Sequence, residues 1–323
     1  MSYLVENNNS LENGLRVLSL FDGISCGRIA LDRAGFKVKD YYAYEIEQNA
    51  IKISRYNYPS IYQCGDVFEE NFSKYEGIDL LIGGSPCQFW ASSKCSKTAK
   101  KKREVKPDGE GWNLFMQYVR ALHESKPKYF LYENNHGIGE EIQAAITKEL
   151  GVEPALLDSQ LVSAQRRKRL YWTNIPIKGE PEDKGILVKD VIVNDSELIK
   201  HFDDRIRNTL VKCENYIKYD LSGKGHFSQQ DRMYFLDNKA PTVPRCRTET
   251  KFNVWLGGET YKKTCPVEIE RLQTLPDGYT EFGLNEDGSI VKMPKTRRFE
   301  AIGNGWTVDI IAWILSFMKE YEV

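Results

Sequence analysis

The chain has 323 residues, 45 Lys and Arg against 46 Asp and Glu, a formal charge of -1, and 41% hydrophobic and 12% aromatic residues. That composition excludes a disordered or fibrous chain, and the length suffices for a large core. The longest apolar stretch, 310–318, is about half of the roughly 20 residues a bilayer demands, and the polar 1–13 segment does not read as a signal peptide.

The first half alternates strand and helix. Residues 16–21 read as a buried strand broken at Asp22-Gly23, and 25–34 as a helix stopped at Gly35. A second strand over 41–44 and a second helix over 48–56 follow, then a short third strand over 61–63 ending at Gly65-Asp66. Residues 78–82 make a fourth strand before Gly83-Gly84, 114–124 a helix, and 129–132 a fifth strand. This rhythm predicts an α/β fold: a Rossmann-like, mostly parallel sheet with helices on both faces and ligands at the carboxyl ends of its strands. After Pro176 the rhythm fails. Residues 177–293 mix charges, short β-like runs (186–193 and 212–219) and Pro/Gly breaks, which predicts a small mixed domain. The segment 294–323, with an apolar helix over 307–321, is expected to return to the first domain, residues 1–176.

Candidate chemistry sits at the strand ends. Leu20-Phe21-Asp22-Gly23-Ile24-Ser25-Cys26-Gly27 is a glycine turn running into a helix, either a nucleotide cradle or a packing turn. Glu45, about 20 residues on, stands where an acid holds ribose hydroxyls, and Asp66 where an acid meets an adenine amino group. No phosphate-loop pattern is present, which disfavours triphosphate hydrolysis. In Gly83-Gly84-Ser85-Pro86-Cys87-Gln88 the thiol follows a proline at a strand end: a nucleophile, or a small buried hydrophobe. Glu133, ending the fifth strand, would face the same cleft. A thiol and a carboxylate at adjacent strand ends suit attack on an electron-poor ring. The seven cysteines include no CxxC pair and the four His have no ligand spacing, so neither a disulfide scaffold nor a metal is expected.

From Lys94 to Lys106 seven basic residues (Lys94, Lys97, Lys100, Lys101, Lys102, Arg103, Lys106) meet one acid, Glu104. The run reads either as a solvated segment or, beside Cys87 and before Gly109 and Gly111, as a lid that binds phosphates.

Phe21-Asp22-Gly23, Glu45, Gly65-Asp66-Val67, Gly83-Gly84-Ser85-Pro86-Cys87, Glu133-Asn134, Gln165-Arg166-Arg167-Lys168-Arg169 and Gly303-Asn304-Gly305-Trp306 occur in the order seen in the cytosine-5 DNA methyltransferases, which this chain resembles over about 16–175 and 264–323. Segments 17–24 and 170–176 resemble the animal de novo enzymes; Gln88 and 268–273 are more similar to bacterial and phage members. The resemblance implies that Phe21, Asp22, Gly23, Glu45, Asp66, Val67, Asn304 and Trp306 bind S-adenosylmethionine, with Phe21 stacked on the adenine. It implies that Cys87 attacks C6 of a flipped cytosine in double-stranded DNA, that Glu133 holds N3 and the exocyclic amine, and that Arg167 and Arg169 position the base and Cys87. It makes 1–176 the catalytic and cofactor-binding domain and 177–293 the target-recognition domain. Gln88, Lys94, Lys100, Lys101, Lys102, Arg103, Lys224, Arg245 and Arg247 become candidate DNA contacts, with Lys212, Lys218 and Arg232 beside them. The expected setting is the cytoplasm of a bacterium or phage-infected cell, with no membrane partner, no metal and no required oligomer.

Two alternatives stay beside this reading: transfer to cytosine in tRNA, since a tRNA-modifying branch shares these motifs, and a DNA-binding homologue with impaired catalysis. The second is raised by Asn135, where the family usually has Val after Glu133-Asn134. Trp112 stands near the place of a common Arg and is expected to take over part of the loop's anchoring. Cys26 is expected to serve packing only.

Overall fold

The computed structural model describes residues 14–90, 103–220, 229–248 and 250–321. β1 (Leu15–Leu20) is a central strand with Val17, Leu18 and Leu20 fully buried, the near-continuous apolar run of a strand covered on both faces. α1 (Cys26–Arg33), β2 (Val38–Tyr44), α2 (Gln48–Asn57), β3 (Tyr62–Gln63) and β4 (Leu80–Gly83) follow. Then come α3 (Glu110–Ser125), β5 (Tyr129–Asn135), α4 (Glu140–Leu150), β6 (Ala155–Asp158) and β7 (Lys168–Thr173). The seven strands form one sheet in the order β3-β2-β1-β4-β5-β7-β6. Strands β3 to β5 run parallel, and β7 runs antiparallel to both of its neighbours. The doubly wound sheet is therefore present, with one reversed strand near its far edge.

The chain leaves β1 toward β2 and β3 on one side, then jumps back to β4 and β5 on the other. The crevice outside β1 and β4 is the switch point at which such sheets bind ligands. The register sharpens this. Leu20 pairs with both Tyr44 and Gly83, and Gly83 with Tyr132. The next residue on each strand is Phe21, Glu45, Gly84 and Glu133, one row along the sheet's rim.

Beyond β7 come α5 (Val188–Val191), β8 (Ile199–His201), α6 (Asp204–Thr209), β9 (Val211–Lys212), β10 (Tyr216–Lys218), β11 (Arg232–Tyr234), β12 (Asn253–Gly257) and β13 (Thr260–Lys263). These strands form a mixed six-stranded sheet, β8-β13-β12-β11-β10-β9. Phe202, Ile206, Ile217, Tyr219, Met233 and Tyr261 make a small core beside it. The strand expected over 186–193 is instead the four-residue helix α5. The strand expected over 212–219 is the hairpin of β9 and β10, bent between Cys213 and Asn215.

The return begins with α7 (Pro266–Leu272), whose Ile269 and Leu272 belong to the main core. The hairpin β14 (Phe282–Leu284) and β15 (Ile290–Lys292) packs on α2, with Phe282 against Tyr56 at 5.6 Å. α8 (Lys295–Asn304) and α9 (Val308–Ser316) close the fold. Residues 295–319 are long and apolar enough to cross a membrane, yet the stretch bends at Gly305–Thr307 and is mostly buried inside the fold.

Candidate active site

The turn after β1 is held by the buried carboxylate of Asp22. Its Oδ1 accepts from Ser19 Oγ (2.6 Å) and Tyr41 Oη (2.7 Å), and its Oδ2 from Ser25 Oγ (2.5 Å). Burial pushes this carboxyl above its ordinary value, against the pull of those hydroxyls. Phe21 and Ser25 are both left-handed, with φ of 57° and 60°, a strain that persists only where surroundings over-determine it. Asp22 is the residue that does so, and its carboxylate faces inward. Close packing of α1 follows from Gly27, where a Cβ would lie 2.3 Å from Ile82 Cδ1.

Glu45 spends both oxygens on backbone: Oε2 accepts from Gly23 N (2.9 Å), and Oε1 from Ile46 N and Glu47 N (2.8 Å each). It ties the β1 and β2 turns together, and burial raises its carboxyl. Asp66 Oδ1 accepts from Phe68 N (3.0 Å), starting the short turn that buries Val67. Two exposed apolar side chains flank these acids, Ile46 and Phe68, 67% and 52% exposed. Sequence reasoning missed both, because apolar residues beside turns give no sign of facing solvent. Exposed apolar groups next to acids combine the flat contact surface and the hydrogen-bond acceptors that a partly polar nucleoside requires.

On the other side of the crevice, Cys87 opens a short turn, Cys87–Phe89, after Pro86. Burial raises its thiol above the ordinary value; Arg169 pulls it down, Glu133 pushes it up and Arg167 pulls it down. These four groups share one electrostatic site. Glu133 Oε1 pairs with Arg169 Nε at 3.0 Å, both side chains mostly buried. The pairing follows from register: Arg169 lies opposite Asn135, diagonal to Glu133 on the same face. Glu133 Oε2 accepts from Trp306 Nε1 at 3.0 Å. Gly84 leaves the room, since a Cβ there would sit 2.8 Å from the Glu133 carbonyl. A buried trio fixes the thiol's loop to β5: Ser85 Oγ and Tyr132 Oη are 2.7 Å apart, and Asn134 Nδ2 donates to Tyr132 Oη (3.0 Å). Asn135 Oδ1 accepts from Gly137 N (2.9 Å).

Arg167 shares that electrostatic site but spends its hydrogen bonds elsewhere. Its buried guanidinium donates to the carbonyls of Val243 (2.9 Å), Gly303 (3.2 Å) and Gly305 (3.0 Å). It fastens β7 to the second sheet's segment and to the C-terminal turn. Gln165 does the same, accepting from Val243 N (2.7 Å) and donating to Gln273 Oε1 (3.0 Å). Asn304 is exposed on that turn, and Cys26 is buried, its thiol pushed up to about 12 by burial.

Of the candidate DNA contacts, Gln88 Oε1 accepts from Arg245 Nη1 (2.9 Å), bridging the thiol's loop to the segment between β11 and β12. Arg247 donates to Glu300 (2.6 Å), which Arg245 also approaches at 3.6 Å. Both arginines therefore already face a carboxylate. Arg103 donates to the Gly137 carbonyl (2.7 Å). Lys212, Lys218 and Arg232 share one end of the six-stranded sheet, Lys218 opposite Arg232. Lys94, Lys97, Lys100, Lys101, Lys102 and Lys224 lie outside the described residues. The loop's far end is anchored by Glu104, which accepts from Trp90 Nε1 and Gly111 N (3.1 Å each). Trp112 rests on Phe115 (4.9 Å) at the start of α3. Among the described residues no group of three or more His, Cys, Asp or Glu gathers as a metal site.

Residues 15–320 match the family model of the C-5 cytosine-specific DNA methylases. The orphan methyltransferase M.SPRI of Bacillus phage SPR is 31% identical over 58% of this chain, and M.Rho11sI of Bacillus phage rho11s is 34% identical over 49%. The chain spans less than half of those two relatives, 45% and 32% of their lengths. The type II methyltransferase M.HhaI of Haemophilus parahaemolyticus is 22% identical, with 96% of each chain covered. Among solved structures, the Dnmt2 methyltransferase of S. pombe superposes with a TM-score of 0.66 at 15% identity, covering 95% of this chain and 98% of that one. At that identity the likeness is one of fold.

Proposed function

The chain belongs to the C-5 cytosine-specific DNA methylase family, and from this premise we propose that it methylates C5 of a cytosine in double-stranded DNA through a covalent bond between Cys87 and C6. The observation that carries the reading is the convergence of Cys87, Glu133 and Arg169 beside the crevice, with Phe21 and Glu45 on the same rim. S-adenosylmethionine, when bound, supplies an electrophilic methyl group. Phe21, Glu45, Asp66 and Val67 would hold it, with Ile46 and Phe68 against its flat base.

The chain's own residues then account for the reaction. The target base must leave the helix, because a stacked cytosine cannot present C6 to a thiolate. The Cys87 thiolate adds to C6, forming the S–C6 bond and pushing the ring's electrons toward N3 and C5. Glu133 holds N3 by a hydrogen bond or proton, and Arg169 fixes that carboxyl. C5 takes the methyl group; loss of the C5 proton returns its electron pair to the ring, re-forms the C5–C6 double bond and expels Cys87. Arg169, the largest opposing influence on the raised thiol, favours the thiolate in a site that burial would otherwise keep protonated. Gln88 and Arg245, bridging the two domains at the thiol's loop, stand where they would meet the strand around the vacated position.

Transfer of tritium from labelled S-adenosylmethionine to duplex DNA and to bulk tRNA in parallel, followed by nucleoside analysis, tests the proposal. Label in 5-methyldeoxycytidine that disappears in Cys87→Ala is the expected result. Label in tRNA alone overturns the substrate assignment.

A further inference from the structure

We propose that Trp306 is a positioning residue for the carboxylate of Glu133, acting through its indole N–H. This rests on the reading of Glu133 as the group that holds the cytosine. The resemblance assigns Trp306 to the cofactor; its indole N–H donates to the carboxylate, Nε1 to Oε2 at 3.0 Å. Arg169 takes the other oxygen at 3.0 Å. The two donors come from segments far apart in sequence and approach different oxygens, so together they fix both the position and the plane of the carboxyl. One donor alone leaves rotation about the terminal side-chain bond, whose preference is broad.

Trp306 itself is held from behind. The turn that carries it offers the Gly305 carbonyl to Arg167 Nη2 (3.0 Å) and to Gln273 Nε2 (2.8 Å), and the Gly303 carbonyl to Arg167 (3.2 Å). Thr307, the next residue, donates to Gln273 Oε1 (2.8 Å). In front, the indole passes close over Gly27 and Gly84, where a Cβ would stand at ordinary contact distance, 3.5 Å from the ring and from Nε1 respectively. The C-terminal segment therefore ends in one donor aimed at the carboxylate, backed by a rigid buried network. A base bound at Glu133 meets a carboxyl already oriented, which lowers the barrier rather than the binding energy.

The test compares Trp306→Phe with the parent enzyme and with Glu133→Gln. Removing a donor to a charged group is expected to lower kcat roughly tenfold or more, with the dissociation constants for S-adenosylmethionine and for DNA held within about twofold. If kcat at saturating cofactor is unchanged, or if the loss lies in cofactor affinity alone, the proposal is overturned and Trp306 is a cofactor contact. Should the phenylalanine variant fail to fold, benzothienylalanine at position 306 keeps the bicyclic shape and deletes only the donor. The same kinetic split is expected there. Glu133→Gln separates the two layers: full activity in that variant sinks the reading of Glu133, whereas an inactive Glu133→Gln beside a fully active Trp306→Phe sinks only this inference.

Discussion

Replacing Arg167 with methionine should loosen the whole junction behind the site. In the folded chain this guanidinium serves three buried carbonyls, those of Val243, Gly303 and Gly305. The Gly305 carbonyl retains the Gln273 donor in the variant, whereas the other two lose the donor seen here. A buried carbonyl deprived of its partner costs about 1–3 kcal/mol, so the pair costs about 2–6 kcal/mol. Methionine refills much of the volume and brings no charge into the core, which offsets part and leaves roughly 2–4 kcal/mol. An unfolding entropy of about 2.1 cal/mol/K per residue gives this chain roughly 0.7 kcal/mol/K, so each kcal/mol moves the midpoint by about 1.5 °C and melting should fall by about 3–6 °C. Thermal unfolding followed by circular dichroism without cofactor measures it, with the exposed neighbour Arg166→Met as the control that stays within about 1 °C. An Arg167→Met midpoint equal to that control would refute the clamp and return Arg167 to direct work on the base.

Three further outcomes follow from the same geometry. Cys87→Ala should abolish transfer and leave S-adenosylmethionine affinity within about twofold, since the thiol acts on the base rather than on the cofactor; an active variant sinks the nucleophile assignment. Burial holds the Cys87 thiol above the ordinary thiol value, so its alkylation by iodoacetamide, read on the Cys87 peptide, should rise with pH and reach half-maximum above that of a free cysteine. Arg169→Met should move that midpoint higher still, because it removes the largest downward influence; a downward shift contradicts the account. Asp66→Ala should weaken cofactor binding at least about fivefold by calorimetry, as loss of one carboxylate hydrogen bond requires, with kcat at saturation little changed.

The parallel half of the fold is legible because its signals are local. Buried parallel strands read as apolar runs, and most of the residues that matter follow in the turns: Phe21, Glu45, Asp66 and Cys87 stand just beyond strand ends, whereas β5 runs on to Asn135 and keeps Glu133 within the strand, paired with β7. What was not legible depends on contacts across long separations. Arg169 meets Glu133 because β7 runs antiparallel in one register, which nothing in either segment announces. Trp306 meets Glu133 across 173 residues. Arg245 and Arg247 read as free basic residues, but α8 brings Glu300 to them. The strand expected over 186–193 failed for a tertiary reason. Its β-branched residues suit a strand, yet Val188 N and Lys189 N donate to the carbonyls of Asn238 and Leu236, and Asp190 caps Leu187 N, closing a single helical turn.

The most direct measurement is covalent trapping on DNA that carries 5-fluorodeoxycytidine at random cytosine positions, with S-adenosylmethionine present. Fluorine at C5 cannot leave as a proton does, so a Cys87–C6 bond should persist after methyl transfer. The account expects a denaturation-stable complex whose mass spectrum places the nucleotide on Cys87, absent in Cys87→Ala. Efficient transfer to ordinary duplex DNA with no such complex, or an adduct on another residue, would contradict it.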